Sequence, residues 1–552
     1  MSLLTDPVVA LFVSLAVGHL IGRLRVGPVA LGGVCGTLFV ALALGQLGVT
    51  IPDALKNAAF ALFIYALGFT AGPQFFANVR DGARYAVFPV IEVSVSLLLT
   101  LAAVLWLRLD AGTAAGLFAG AATESAVLGT ASEAIAKLGL DPVETTTLQA
   151  HIATAYSLTY LFGLISIVLF VTQIAPMIAR KDLRAEATAL ADKLGASDDD
   201  GNEIPVTVQR AFEVGGLAGH TAREFEEPRN WTIVIESVER DGAILPVDLN
   251  FVLAEGDIVL LRGRRNTMLA AGRVLGKEVP LPQGSGQALI SHDIVLLRKE
   301  TFGHELRDLR QMVDPEQQRG IFVTHIRRMG HTVPALPKTY LQQGDVLTIY
   351  GPEAAVMRAA AELGQPLPPE DSTDFAMLGL GIVIGFLIGH LSLKIGAVEL
   401  TLGLGGGALL SGLFFGWLNM RHPRYGALPG AAAHFAKDFG LATFIAAIGL
   451  GAGPNAIALI REYGLLFPLL AVLLSLIPAF ISLMVGLWLM RLPLPILLGA
   501  IAGQHCSTPA VSALVSQAGN ATPVIGYTVT YAIANVLLPL MGPVVVALAR
   551  LI

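Results

Sequence analysis

The sequence predicts an α-helical integral membrane protein: two inverted repeats, each of about five transmembrane helices plus a re-entrant or broken hairpin, with a tandem α/β insert on the cytoplasmic side. Three observations lead there: sparse and uneven charge, ten long apolar runs, and an internal duplication. The chain has 552 residues, with 36 Lys or Arg against 42 Asp or Glu and a net charge of −6. Only 14% of its residues are charged, against about 25% in soluble domains, and its mean hydropathy is +0.67. Residues 181–370 hold 49 of the 78 charged side chains, so the rest of the chain is nearly bare of them. An ordinary soluble enzyme is excluded, because this composition could not supply its surface. A nucleic-acid partner is excluded too, because its binder would be basic.

A helix needs about 20 mostly apolar residues to cross a bilayer. Runs of that kind occur near 7–22, 29–48, 54–76, 85–107 and 147–178, then near 375–393, 396–418, 434–459, 464–490 and 521–549. No basic segment precedes the first run, so it is expected to be a membrane helix and not a cleaved leader. Each half also has one segment rich in small residues and interrupted in the middle, 112–136 and 493–518. These are expected to be the hairpins, since irregular backbone at membrane depth survives only inside protein or around a cavity. Lys and Arg near the span ends favour external N- and C-termini and a cytoplasmic segment 181–372.

The two halves repeat in order. Gly27-Pro28-Val29-Ala30-Leu31 answers to Gly396-Ala397-Val398-Glu399-Leu400, and the Phe63–Pro73 pattern answers to Phe444–Pro454. Gly116-x-x-Ala119-Gly120 answers to Gly499-x-x-Ala502-Gly503, and Tyr156-x-x-Thr159-Tyr160 to Tyr527-x-x-Thr530-Tyr531. An odd number of crossings per half turns the second copy over. Inverted repeats with interruptions at matching places point to a secondary transporter and locate its binding site. Nothing resembles a selectivity filter, and no Ser-His-Asp, HExxH or paired-Cys pattern supports an enzyme. No cofactor and no metal are expected.

The organisation expected is membrane repeat 1 over 1–180, a linker over 181–201, α/β units over 202–279 and 290–364, a linker over 365–374, and membrane repeat 2 over 375–552. The two α/β units look like copies: Gly219-His220 pairs with Gly303-His304, Arg240 with Arg328, Gly256-Asp257 with Gly344-Asp345, and Gly263 with Gly351. No GxGxxG or GxxxxGK[ST] occurs there, so no nucleotide chemistry is expected. Tandem units of this kind suggest a regulatory ligand or dimer contacts.

Charge and polarity at the two interruptions name the expected substrate-binding residues, because a charge in a bilayer costs about 2.5–3.5 kcal/mol. They are Thr123, Glu124 and Ser125 at the first, and Gln504, His505, Cys506, Ser507 and Thr508 at the second. Asn535, in the middle of an apolar run, and Arg80, after the first Gly-Pro, join them. Glu124 suits an ammonium or a proton; His505, hydroxyls and half-helix N-termini suit a carboxylate. Gly72-Pro73, Gly453-Pro454 and Pro509 are expected to break their helices. Tyr156, Tyr160, Tyr527, Tyr531, Glu92 and His151 read as packing or paired structural groups, and Glu133 as a surface residue.

Two homologous membrane halves around two TrkA-C-like (RCK-C-like) domains resemble the aspartate:alanine exchanger family, with the Gly-Pro segments and Thr508-Pro509 in keeping. The resemblance covers nearly the whole chain. It implies a homodimeric, elevator-type antiporter of small carboxylates or amino acids, aspartate for alanine or similar, in the bacterial inner membrane. An ion-coupled dicarboxylate exporter or an RCK-regulated ion transporter or channel is the alternative. The sequence departs from the family at Thr123-Glu124-Ser125-Ala126, where a Thr-Pro break is usual.

Overall fold

Seven principal helices before the insert answer in order to seven after it. The first set is α1 (Pro7–Gly22), α2 (Gly33–Gly45), α3 (Asp53–Asp81), α4 (Val87–Leu107), α5 (Ala111–Ala121), α6 (Ala126–Ala136) and α7 (Pro142–Leu169). The second is α8 (Phe375–Gly389), α9 (Gly403–Arg421), α10 (Gly430–Tyr463), α11 (Leu466–Met484), α12 (Leu494–Gln504), α13 (Thr508–Ala518) and α14 (Thr522–Leu551). This computed structural model describes the chain from Thr5 to Ile552 apart from residues 27–28, 31, 82, 195–206, 230–232, 265–267, 269–270, 273, 282–288, 298–299, 313–318, 329–330, 367–371, 396–397, 402 and 423–424. The chain divides into one unit of residues 1–188 with 370–552 and another of residues 189–369.

Local chemistry starts the helices where they start. Asp6, Asp110 and Asp141 cap α1, α5 and α7 by accepting from first-turn N–H groups, and Pro7 and Pro142 occupy first-turn positions that need no donor. Among the described residues six helices are long and apolar enough to cross a membrane, on α3, α4, α7, α10, α11 and α14. The expected spans at 29–48 and 396–418 are not helical throughout. Their first residues pair instead in two-stranded ribbons, Arg25–Val26 with Val29–Ala30 and Ser392–Ile395 with Val398–Thr401. The Gly27-Pro28 and Gly396-Ala397 dipeptides lie outside the described residues.

Packing partners correspond between the halves, and in two of three pairs they cross from one half to the other. Helix α3 packs on α9, and α10 on α2; α5 packs on α7, and α12 on α14; α6 packs on α14, and α13 on α7. The duplicated Gly-Pro pairs sit in the first of these contacts, and the helix breaks expected there are absent: α3 runs through Gly72-Pro73 and α10 through Gly453-Pro454. Proline removes the N–H that would bond the carbonyl four residues back, here those of Phe69 and Leu450. Each of these carbonyls lies against a glycine of the crossing helix, Gly416 and Gly45, where any Cβ would overlap it. Gly72 and Gly453 are close-approach points too, against Leu413 and Gly45. The motif therefore lets two helix backbones approach, as small residues do in bilayers.

Glu133 is likewise not a surface group. Its carboxylate accepts from the Leu404 and Gly405 N–H groups at the start of α9 and pairs with Lys137. This satisfies helix-start donors that have no partner within their own helix.

In the second unit, β1 (Thr207–Val214), β2 (Ile233–Arg240), β3 (Ala243–Pro246), β4 (Ile258–Arg264) and β5 (Gly276–Val279) form a sheet in the order β3-β2-β4-β1-β5. A second sheet of β6 (Leu289–Val295), β7 (Phe322–Arg328), β8 (His331–Val333), β9 (Val346–Pro352) and β10 (Gln365–Pro366) has the order β8-β7-β9-β6-β10, the same topology. The residues that the sequence pairs between copies prove to be partners within each copy. Arg240 grips Asp257 with two bonds of 2.8 Å, and Arg328 grips Asp345 at 2.7 and 2.6 Å. Both arginines also reach a loop carbonyl, Val252 O or Tyr340 O, at 3.0 Å. The expected entry linker contains a helix, Leu183–Lys193; Ser197–Gly201, Trp231-Thr232 and Leu367-Pro368-Pro369 lie outside the described residues.

Two outcomes follow. Gly45→Val and Gly416→Val should each lower thermal stability by more than the roughly 1–3 kcal/mol usual for overpacking, while Pro73→Ala is tolerated. Size-exclusion profiles and melting of the purified protein in detergent test this, and equal tolerance of all three would refute the close-approach reading. In the insert, Arg328 is 2% exposed but Arg240 37%. Arg328→Ala should then strand a buried Asp345 at a cost of about 3–5 kcal/mol and deprotect the amides of β7 and β9 in hydrogen exchange. Arg240→Ala should do less.

Candidate functional site

The small-residue segments are helix–break–helix units, α5–α6 and α12–α13, and their breaks share one construction. Helix α5 ends with Thr123 N–H donating to Gly120 O (3.1 Å) and Glu124 N–H to Ala119 O (2.9 Å). Helix α12 ends with Cys506 N–H donating to Gly503 O (3.0 Å) and Ser507 N–H to Ala502 O (3.1 Å). This is a Schellman-like closure, which wants a left-handed residue; Thr123 (φ 55°) and Cys506 (φ 49°) supply it without being glycine. At the far side of each break a side chain meets the next helix start: Glu124 Oε1 accepts from Ala126 N–H at 3.0 Å, and Ser507 Oγ from Ala510 N–H at 3.4 Å.

A tyrosine pair backs each break. Ser125 Oγ lies 2.7 Å from Tyr156 OH, and Thr508 Oγ1 lies 3.3 Å from Tyr527 OH. Tyr156 packs against Tyr160 with ring centres 5.1 Å apart, and Tyr527 against Tyr531 at 4.9 Å. Gly120 and Gly503 admit Thr159 and Thr530 of α7 and α14 so closely that no Cβ fits. The breaks also touch each other, since Thr123 Oγ1 donates to His505 O at 2.7 Å.

Where they meet lies a cavity of about 180 Å³, lined by Val34, Phe63, Leu67, Thr123, Glu124, Ser125, Tyr160, Lys437, Leu441, Cys506, Ser507, Thr508, Pro509, Tyr531 and Asn535. At about 30 Å³ per water, that is room for roughly six waters. The lining combines one carboxylate, one ammonium and several hydroxyls on an apolar wall. Among the described residues neither Glu124 nor Lys437 makes an ion pair.

Of the residues expected from sequence, Thr123, Glu124, Ser125, Cys506, Ser507, Thr508, Pro509 and Asn535 come together on this cavity. Gln504 and His505 do not: both are fully buried and turn away toward Glu92 on α4. Residues 504 and 505 precede the left-handed Cys506, so the chain reversal sends them to the back of the break. Arg80 ends up on the last turn of α3, with its side chain outside the described residues. Sequence reasoning missed Lys437 and read Tyr160 and Tyr531 as packing. Lys437 had a signal: it lies inside the apolar run 434–459.

The model of a family described as Predicted Permease Membrane Region matches residues 10–176 and 377–547, both halves of the membrane unit and neither sheet. A protein of Zymomonas mobilis named as an uncharacterized transporter is 36% identical over 98% of this chain and 97% of its own. Likewise named are a Bradyrhizobium diazoefficiens protein, 37% identical over 98% of each chain, and a Francisella tularensis protein, 33% identical over 100% of this chain and 99% of its own. No solved structure matches.

The hydroxyl–tyrosine backing predicts unequal mutants. Tyr156→Phe removes a short buried bond worth roughly 0.5–1.5 kcal/mol and strands Ser125, so it should lower the melting temperature more than Tyr527→Phe. The reverse order, measured on purified protein, would contradict the geometry.

Proposed function

The chain belongs to the family described as Predicted Permease Membrane Region, and from that premise we propose that this multi-pass membrane protein is a secondary antiporter of small amino acids and related carboxylates, aspartate for alanine or a close variant. One observation carries the substrate class: Glu124 and Lys437, opposite in charge and in no salt bridge among the described residues, line one small cavity. A zwitterion matches that lining. Its ammonium suits Glu124 and its carboxylate suits Lys437, each interaction strengthened by the low dielectric. Ser507, Thr508 and Asn535, with the N-terminus of α13, offer donors to a second carboxylate such as that of aspartate. The cavity volume suits molecules of about six to nine heavy atoms, at close packing against roughly six waters' space.

The correspondence of packing partners between α1–α7 and α8–α14 supports inverted repeats, and so alternating access around a fixed site. In this reading an elevator movement carries the helices of both breaks past a scaffold that includes α3 and α10. Glu133, on α6 but bonded to the start of α9, belongs to the contacts that such a movement exchanges. The twin sheets of the insert act as RCK-C-like domains that brace a homodimer or take a small regulatory ligand. The positive-inside distribution supports a bacterial inner membrane with both termini outside and the insert in the cytoplasm.

Counterflow in proteoliposomes tests the substrate class. Labelled aspartate should exchange against alanine, and Lys437→Gln and Glu124→Gln should each reduce exchange at least tenfold, about 1.4 kcal/mol or more. Absence of counterflow with aspartate, alanine and succinate in the wild type would sink the assignment.

A further inference from the structure

A second polar centre lies behind the second break, and the cavity does not use it. Glu92, on α4 inside an apolar span, has no exposed surface, and neither do Gln504 and His505. Ser96 Oγ donates to Glu92 Oε1 at 3.2 Å, and Gln504 Nε2 donates to Oε2 at 2.9 Å. His505 Nε2 lies 3.2 Å from Oε2, yet neither ring nitrogen has an aligned hydrogen-bond partner, and Gln504 Oε1 has none either. An imidazolium here would leave Nδ1–H without a partner and would bury a charge pair away from water, which is costly. A neutral imidazole beside a protonated carboxyl places the Glu92 O–H against Nε2 at the same 3.2 Å, strands Nδ1–H alone, and avoids burying two charges in an apolar span. Among the described residues, the principal elements packed on α4 bring no other carboxylate or imidazole. Helices α5, α11 and α12 carry no titratable side chain; α14 brings Tyr527, Tyr531 and, at its far end, Arg550; the turn before α4 brings Arg84 and Tyr85; Cys506 follows His505.

We propose that Glu92, with His505 and Gln504, is a proton-binding site whose occupancy is coupled to substrate charge, so that one proton moves across the membrane with a net-anionic substrate such as aspartate and none with zwitterionic alanine. The coupling is electrostatic and mechanical. Cys506 and Ser507 face the cavity while the two residues before them face Glu92, so one chain reversal serves both centres. A net-anionic substrate arriving at the cavity meets the field of an ionised, fully buried Glu92, and a proton on Glu92 removes that repulsion; a zwitterion, with no net charge, meets little of it. Substrate and proton therefore favour each other, and by linkage the effect is reciprocal. The proton enters from water onto the Glu92 carboxylate and leaves through His505 Nε2 to water when the break has moved; no other bond changes.

This proposal rests on the transport reading, and its two tests separate the two. Infrared difference spectra of purified wild type minus Glu92→Gln at neutral pH should show the carbonyl stretch of a protonated carboxyl; its absence overturns the site whatever the protein transports. In proteoliposomes with an entrapped pH dye, aspartate uptake by the wild type should acidify the lumen. Glu92→Gln, which keeps amide and carbonyl in place of the carboxyl, should retain counterflow at equal pH but lose the acidification. Wild-type exchange without lumenal acidification, or acidification that survives in Glu92→Gln, overturns the coupling even if the variant's yield is poor. Failure of all exchange with the infrared band present would refute the substrate class and leave the proton site standing.

Discussion

Backbone N–H and C=O groups inside a bilayer must find partners within the protein, because no water is there to take them. This chain interrupts a helix twice in its apolar body, after Gly120 and after Gly503, so the constraint falls hardest there. Each break closes on itself through the same two backbone bonds and a left-handed residue. Each then borrows a side chain to start the next helix, Glu124 or Ser507. The remaining His505 carbonyl is met by Thr123 of the opposite break. The two interruptions thus complete one another, and the space between them is the cavity.

The frame is duplicated, but the chemistry on it is not. Gly120 and Gly503, Thr159 and Thr530, and the two tyrosine pairs hold equivalent positions. The variable positions differ in chemistry: Ala121-Ala122 stand where the second half has Gln504-His505, and Glu124 stands where it has Ser507. The lysines follow the same rule. In the register that matches Phe63 with Phe444, Lys56 corresponds to Lys437. Lys56 is neutralised by Asp53 at 2.6 Å, whereas Lys437 makes no salt bridge among the described residues and lines the cavity with Glu124. A symmetric scaffold with asymmetric polar groups thus gives the cavity unlike walls, a carboxylate from one half and an ammonium from the other.

The same contrast explains why parts of the site were legible in the sequence. Glu124, Ser507 and Thr508 stand out because polar residues interrupt an apolar run, a one-dimensional signal. Lys437 was hidden by its place near the start of a span, where a cation also satisfies the positive-inside rule. His505 was misdirected by a single backbone angle: its neighbour Cys506 is left-handed, which turns it to the back of the break. The Gly-Pro pairs were misread because proline's usual effect is local, while here the carbonyls it leaves unbonded lie against glycines of a crossing helix, Gly416 and Gly45.

Composition, hydropathy and repeats determined the membrane body, its two halves, the interrupted segments and the paired α/β units, because burial in lipid writes itself along the chain as length and polarity. Which side of each break faces the cavity, which of two equivalent lysines lines it, and which arginine grips which aspartate were decided only by the tertiary structure. Those choices depend on a few backbone dihedrals and on contacts between residues hundreds of positions apart, and neither leaves a periodic trace in sequence.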